Sequence, residues 1–164
     1  MTTPVWLLDV DGVINANRPG WSAPPNQGYA AASGTTWKMR WAPGLTAAIR
    51  TLALSGDVEI RWATSWVLYT DQLERLFRLP PLPVAFADDN DGYVTELKVA
   101  AALRVVEEEK RPLIWTDDDA IPHSGPERSR LESGEHPVLL LDPDWNRGLQ
   151  PTHIDIIREF IGRI

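Results

Sequence analysis

Four apolar residues, Val5-Trp6-Leu7-Leu8, run without interruption into Asp9-Val10-Asp11-Gly12. A short apolar run closed by turn chemistry predicts a strand buried on both faces. Asp9 then stands where the strand ends, and Asp11 in the turn that leaves it. Similar runs recur at 58–63, ending in Thr64-Ser65-Trp66, at 84–87, at 111–116, ending in Asp117-Asp118-Asp119, and at 138–141. Between them the period lengthens. Pro43-Gly44 opens a helix with Leu45, Ala48, Ile49 and Leu52 on one face, and Ser55-Gly56-Asp57 ends it. Leu73, Leu76 and Phe77 predict a second helix over 70–78, stopped by Pro80-Pro81. A third over 95–109 carries Leu97, Ala100, Ala101, Leu103 and Val105, with Lys98 in its first turn. The last is capped by Thr152 and carries Ile154, Ile157, Ile161 and Ile164. Strands alternating with helices predict an α/β fold, a mainly parallel five-stranded sheet with helices on both faces.

Two stretches break the pattern. Residues 15–34 are polar and rich in Pro, Gly, Asn and Ser, too long for a plain loop in a compact domain. Thr35-Thr36-Trp37-Lys38-Met39-Arg40-Trp41 has strand composition and pairs in expectation with 29–32, as a flap. The second stretch, Asp88-Asp89-Asn90-Asp91-Gly92, invites a calcium loop. With Gly92 at the sixth loop position, however, Ala87 falls at the first and Lys98 at the twelfth, where carboxylates are required. A solvated loop is the better reading.

Composition narrows the chemistry. The 164 residues fit one domain, 1–164, and are 43% hydrophobic and 24% charged, as in ordinary globular proteins. Without cysteine, thiolate chemistry is excluded and a metal would need oxygen or imidazole ligands. No leader-like or membrane-spanning run is present, which makes the cytoplasm the expected compartment. The net charge of −7 opposes wholesale binding of a nucleic-acid backbone. Of the eight tryptophans, Trp6, Trp62 and Trp115 fall in predicted strands and belong to the core. Trp21, Trp37, Trp66 and Trp145 fall in or beside loops, where they could stack on a base, although a buried or half-exposed place is the more ordinary fate of each.

Ligands of open α/β sheets bind outside the carboxyl ends of the strands. Asp9 and Asp11 stand there, able to hold a divalent cation and to divide nucleophilic and acid–base work. Turn preference alone would also explain Asp and Gly at that point. The remaining motifs favour chemistry. Asp9-Val10-Asp11-Gly12 after an apolar strand, Thr64 at the end of a second, Lys98 opening a helix and Asp117-Asp118 at the end of a later strand come in one order. In that order the chain resembles the haloacid dehalogenase-like (HAD) hydrolase superfamily over nearly its whole length. Through Trp62-Ala63-Thr64-Ser65-Trp66 and its short length it is similar, more narrowly, to the HAD domain of Swiss-army-knife RNA repair proteins.

The resemblance implies a three-layered Rossmann-like fold with strand order 5-4-1-2-3 and no cap domain. It implies a phosphatase in which Asp9 becomes an aspartyl-phosphate and Asp11 acts as acid and base. Thr64, Ser65 and Lys98 would hold the phosphoryl group. Mg²⁺ would be bound by Asp9, Asp11 (through its backbone carbonyl), Asp117 and Asp118. The implied partner is a phosphorylated substrate, nucleic-acid ends included, acted on by a monomer or weak dimer. A small-metabolite phosphatase and an inactive HAD-fold binding module are the alternatives.

Overall fold

The computed structural model describes residues 2–87 and 93–164. The acidic loop at 88–92 lies outside them. The elements follow in the order β1 (Val5–Leu8), β2 (Asn26–Ala32), β3 (Thr35–Trp41), α1 (Pro43–Ser55), β4 (Glu59–Trp62), α2 (Thr70–Phe77) and α3 (Val94–Leu103). After a π-helical turn, Arg104–Glu108, come β5 (Leu113–Thr116), α4 (Pro126–Glu132), β6 (Val138–Leu141) and α5 (Pro151–Arg163).

The fold is α/β, with β4-β1-β5-β6 forming one parallel sheet and β2-β3 a separate hairpin. β1 is wholly buried because it is paired on both edges and covered on both faces. Alternation along the strands sends Trp6, Leu8, Ile60, Trp62 and Ile114 into one core with α1, α2 and α5. The opposite side chains, Val5, Leu7, Leu113 and Trp115, join Ala101, Ala102 and Leu131 of α3 and α4. Two cores divided by a sheet make three layers.

The expected third strand, at 84–87, is not formed. Among the described residues the sheet has four strands, and the order 5-4-1-2-3 loses its last member. Val84 makes a single parallel bridge to Trp62, held by Trp62 N–H to the Pro83 carbonyl and Ala85 N–H to the Trp62 carbonyl, each 2.8 Å. Pro80, Pro81 and Pro83 lack the N–H groups that a ladder needs, so pairing cannot spread N-terminally.

Other differences are local. The 95–109 helix gives way to a π turn that buries both Val105 and Val106. Its start at Val94 puts Lys98 fifth rather than in the first turn. Gln150, not Thr152, caps α5: its backbone N–H bonds His153 Nδ1 at 2.9 Å, and Pro151 takes the first helical position. α4, which no apolar period announces, buries only Leu131.

The flap is present and longer than expected. β2 and β3 pair from Asn26–Trp41 to Ala32–Thr35, leaving Ser33-Gly34 as a two-residue turn with φ of 50° and 78°. Positive φ at both positions marks the hairpin turn that matches strand twist. Met39, Trp41 and Ala30 fix the hairpin to the core. On its outer edge the Gln72 amide bonds Ala31 N–H and carbonyl at 3.0 and 2.9 Å, imitating a neighbouring strand.

Candidate active site

The sheet register levels three strand ends. Leu8 stands opposite Trp62 on β4 and Thr116 on β5. The next residues, Asp9, Ala63 and Asp117, therefore emerge side by side. Asp9 is 4% exposed and Asp117 not at all. Two carboxylates this deep on adjacent strands would be untenable without a cation. Lys98 supplies it from α3, its Nζ 2.9 Å from Asp9 Oδ2 and 2.8 Å from Asp117 Oδ2. The Lys98 ammonium is itself buried, and the two carboxylates hold its pKa above the ordinary lysine value against the opposing effect of burial.

One ammonium cannot neutralise two carboxylates. Burial first, and then the charge of Asp117, push Asp9 up to about 8, against the lowering effect of Lys98. Asp9 Oδ1 accepts the Val10 N–H at 2.7 Å, so both of its oxygens are held. Asp117 Oδ1 accepts the N–H groups of Asp119 and Ala120 at 3.2 and 2.9 Å, folding the following turn back over the strand end. That turn carries Asp118 and Asp119. Burial and the neighbouring Asp119 push Asp118 up to about 6. Asp119 is raised too, by burial and by Asp117.

Ligand atoms of Asp9, Asp117, Asp118 and Asp119 all lie within 4.8 Å of one another. Raised carboxylates facing a single ammonium are the electrostatics of a cation site. The donors are all oxygen, as hard cations such as Mg²⁺ prefer. Asp117 Oδ2 is fully buried and, although beside Lys98, meets no donor in hydrogen-bond alignment among the described residues. A metal ion would satisfy that oxygen, so the residues fit.

Asp119 joins the expected Asp9, Asp117 and Asp118. The Asp11 carboxylate, expected to serve as acid and base rather than as a ligand, is not among them. Asp11 Oδ1 accepts from Asn15 Nδ2 at 2.8 Å and Oδ2 from Trp66 Nε1 at 2.9 Å, which directs it to the flap side of the site. Trp66, one of the loop tryptophans weighed for stacking, is buried, the more ordinary fate expected of it. The side chain of Thr64 is fully buried, and its hydroxyl accepts the Trp66 N–H at 3.3 Å. Ser65, not Thr64, lines the cavity with Asp9, Asp11, Lys98, Asp118 and Asp119, a space of about 410 Å³. Two further hollows, of about 300 and 470 Å³, adjoin it at Asp11 and are bordered by Lys38 of the flap. Trp145 and Trp37, both exposed, stand at their margins. Trp21 is half-buried and donates to the Leu149 carbonyl.

In comparisons with known proteins the chain matches no family model, no curated protein and no solved structure. Among the described residues no helix is long and apolar enough to cross a membrane.

Proposed function

We propose that the chain is a Mg²⁺-dependent phosphatase acting through an aspartyl-phosphate on Asp9. The observation that carries this reading is the buried Asp9–Lys98–Asp117 arrangement, opening on a cavity shared with Asp11, Asp118 and Asp119. A carboxylate held at the bottom of a cavity by one oxygen on a backbone N–H and the other on an ammonium is oriented for attack. Mg²⁺, held by Asp9, Asp117, Asp118 and Asp119 with the Asp11 backbone carbonyl, would keep Asp9 ionised and offset repulsion from the phosphoryl oxygens.

Asp9 attacks phosphorus, forming a carboxylate O–P bond as the ester P–O bond breaks. Asp11 gives its proton to the departing oxygen. A water then attacks phosphorus, loses a proton to Asp11, and the Asp9 O–P bond breaks to release phosphate. Asp11 is thus restored protonated and Asp9 as carboxylate. Acid–base assistance of this kind contributes ~10²–10⁴-fold. Lys98 offsets negative charge on Asp9 and the phosphoryl group, and the Ser65 hydroxyl and neighbouring N–H groups accommodate phosphoryl oxygens.

The substrate class we favour is a phosphorylated polymer, first of all a nucleic-acid end. Three connected hollows, an exposed Trp37 and Trp145, and Lys38 beside Asp11 suit an extended organic group better than a small one. Hydrolysis of 4-nitrophenyl phosphate by the purified chain, with Mg²⁺ and with excess chelator, tests the reading. Mg²⁺-dependent release of phosphate is expected. No turnover with Mg²⁺ on this ester or on phosphorylated oligonucleotides would leave a binding module in its place.

A further inference from the structure

We propose that Asn15 and Trp66 are positioning residues that fix the plane of the Asp11 carboxylate for proton transfer. The proposal rests on the phosphatase reading for the role of Asp11, but the contacts themselves do not. Asp11 is exposed, and an exposed aspartate ordinarily samples several rotamers. Here each of its oxygens receives a separate N–H donor, from Asn15 at 2.8 Å and Trp66 at 2.9 Å. Two donors on two oxygens define an orientation, where one would leave the group free to swing. Each oxygen keeps a second lone pair for the proton in transit.

Both donors are themselves held. The Asn15 Oδ1 accepts the Arg40 N–H of β3 at 2.8 Å. Because a backbone N–H can only donate, this contact assigns the amide, and Nδ2 must be the end that faces Asp11. Trp66 is buried, and its backbone N–H donates to the Thr64 hydroxyl at 3.3 Å, which fixes the residue that carries the indole. The clamp therefore joins the turn after β1, the flap and the turn after β4.

Turn formation alone does not account for it. The turn after β1 is closed by Gly12 N–H to the Asn15 carbonyl at 2.8 Å and Asn15 N–H to the Val10 carbonyl at 2.9 Å, and neither bond uses the Asn15 amide. Nor does the indole simply need any acceptor. Trp115, more deeply buried, leaves its Nε1 without a partner among the described residues. Trp66 lies 55 positions from Asp11, so the tie is a product of the fold, not of the local sequence.

The test uses the full chain with Mg²⁺ and two esters. In 4-nitrophenyl phosphate the departing oxygen leaves without a proton, whereas in β-glycerophosphate it needs one. The ratio kcat/KM isolates the first phosphoryl transfer. Trp66→Phe and Asn15→Ala are each expected to lower it about tenfold or more on the alkyl ester and less than about threefold on the aryl ester. Equal losses on both esters would indicate a merely structural role and overturn the proposal. A second readout needs no activity. The Trp66 indole N–H resonance, assigned by its disappearance in Trp66→Phe, should shift in Asp11→Ala. A resonance that does not move would overturn the contact. Wild-type inactivity on both esters and on a phosphorylated oligonucleotide would overturn the phosphatase reading, and with it the catalytic role of the clamp, while the resonance still reports the geometry.

Discussion

Gly12 and Asp118 pack so closely that a Cβ on Gly12 would lie 2.4 Å from the Asp118 carboxyl carbon. Gly12 also holds a φ of 73°, which L side chains resist. The glycine thus lets the turn after β5 press its carboxylate against the turn after β1. Gly12→Ala should cost about 1–3 kcal/mol in chemical denaturation. It should also raise the Mg²⁺ concentration needed for half-maximal activity, since Asp118 must swing aside. An unchanged metal requirement would show that Asp118 does not ligate.

Asp9→Asn should lower kcat by ~10³-fold or more, because an amide is no nucleophile toward phosphorus. Without metal its melting temperature should equal or exceed that of the wild type. The amide replaces a carboxyl whose pKa burial raises to about 8, so at neutral pH little charge is lost and Lys98 stays paired with Asp117. Turnover near the wild-type level would exclude Asp9 as the nucleophile.

Lys98→Met should behave in the opposite way. It strands two buried carboxylates on adjacent strands, and breaking such a pairing typically costs ~3–5 kcal/mol. Urea unfolding of the metal-free variant measures this, and added Mg²⁺ should restore part of the loss. A variant as stable as the wild type would show that Asp9 and Asp117 are not held by Lys98.

Proton and metal should compete. Asp9, raised to about 8, and Asp118, raised to about 6, keep protons in the folded metal-free protein where the unfolded chain has lost them. Stability from these two groups therefore falls as pH rises through that range, and grows as pH is lowered toward about 5. Mg²⁺ needs both carboxylates ionised, so its gain in melting temperature should be larger at pH 8 than at pH 5.5. His153, whose pKa burial lowers, acts in the reverse direction below its ordinary 6.5. Comparing samples with and without Mg²⁺ at one pH cancels that contribution. At a hundredfold excess over Kd the ion should add ~2.7 kcal/mol. A gain independent of pH would place the metal elsewhere.

Asp119→Asn separates the observed cluster from the motif. Loss of one oxygen ligand should weaken Mg²⁺ binding by about tenfold or more, read by calorimetry or by the metal dependence of hydrolysis. If only Asp117→Asn and Asp118→Asn had this effect, Asp119 would be a bystander in the turn.

Substrate size is tested by side-by-side kinetics. A phosphorylated oligonucleotide should show kcat/KM about tenfold or more above a free nucleotide or sugar phosphate, since a small ester offers little remote binding energy to spend on the transition state. Trp37→Ala should remove much of that advantage, base stacking being worth ~1–3 kcal/mol. Equal efficiency on small metabolites would leave a general phosphatase.

Much of this was legible because strand ends are local events. The run Val5-Trp6-Leu7-Leu8 has no polar position to expose, so it had to be buried on both faces, and whatever followed had to appear at a strand end. Asp9, Ser65 and Asp117 take their places beyond strand ends in that way, whereas α1 is legible from its apolar face and the flap from its strand composition. Burial and direction are different matters. That Thr64 is sealed under the turn while Ser65 faces the cavity depends on how Trp66 packs. That Asp119 joins the acidic cluster, and that the Asp11 carboxylate turns to Asn15 and Trp66, depends on contacts 55 positions apart in one case. No periodicity encodes such a meeting. Lys98 shows the division most plainly. Sequence places a lysine near the start of a helix, and only the docking of α3 on the sheet makes it the shared counter-charge of two buried aspartates. Local pattern determines which atoms reach the end of the sheet, because backbone pairing is periodic. Which of them touch is decided by side-chain packing between distant elements, and that is not periodic.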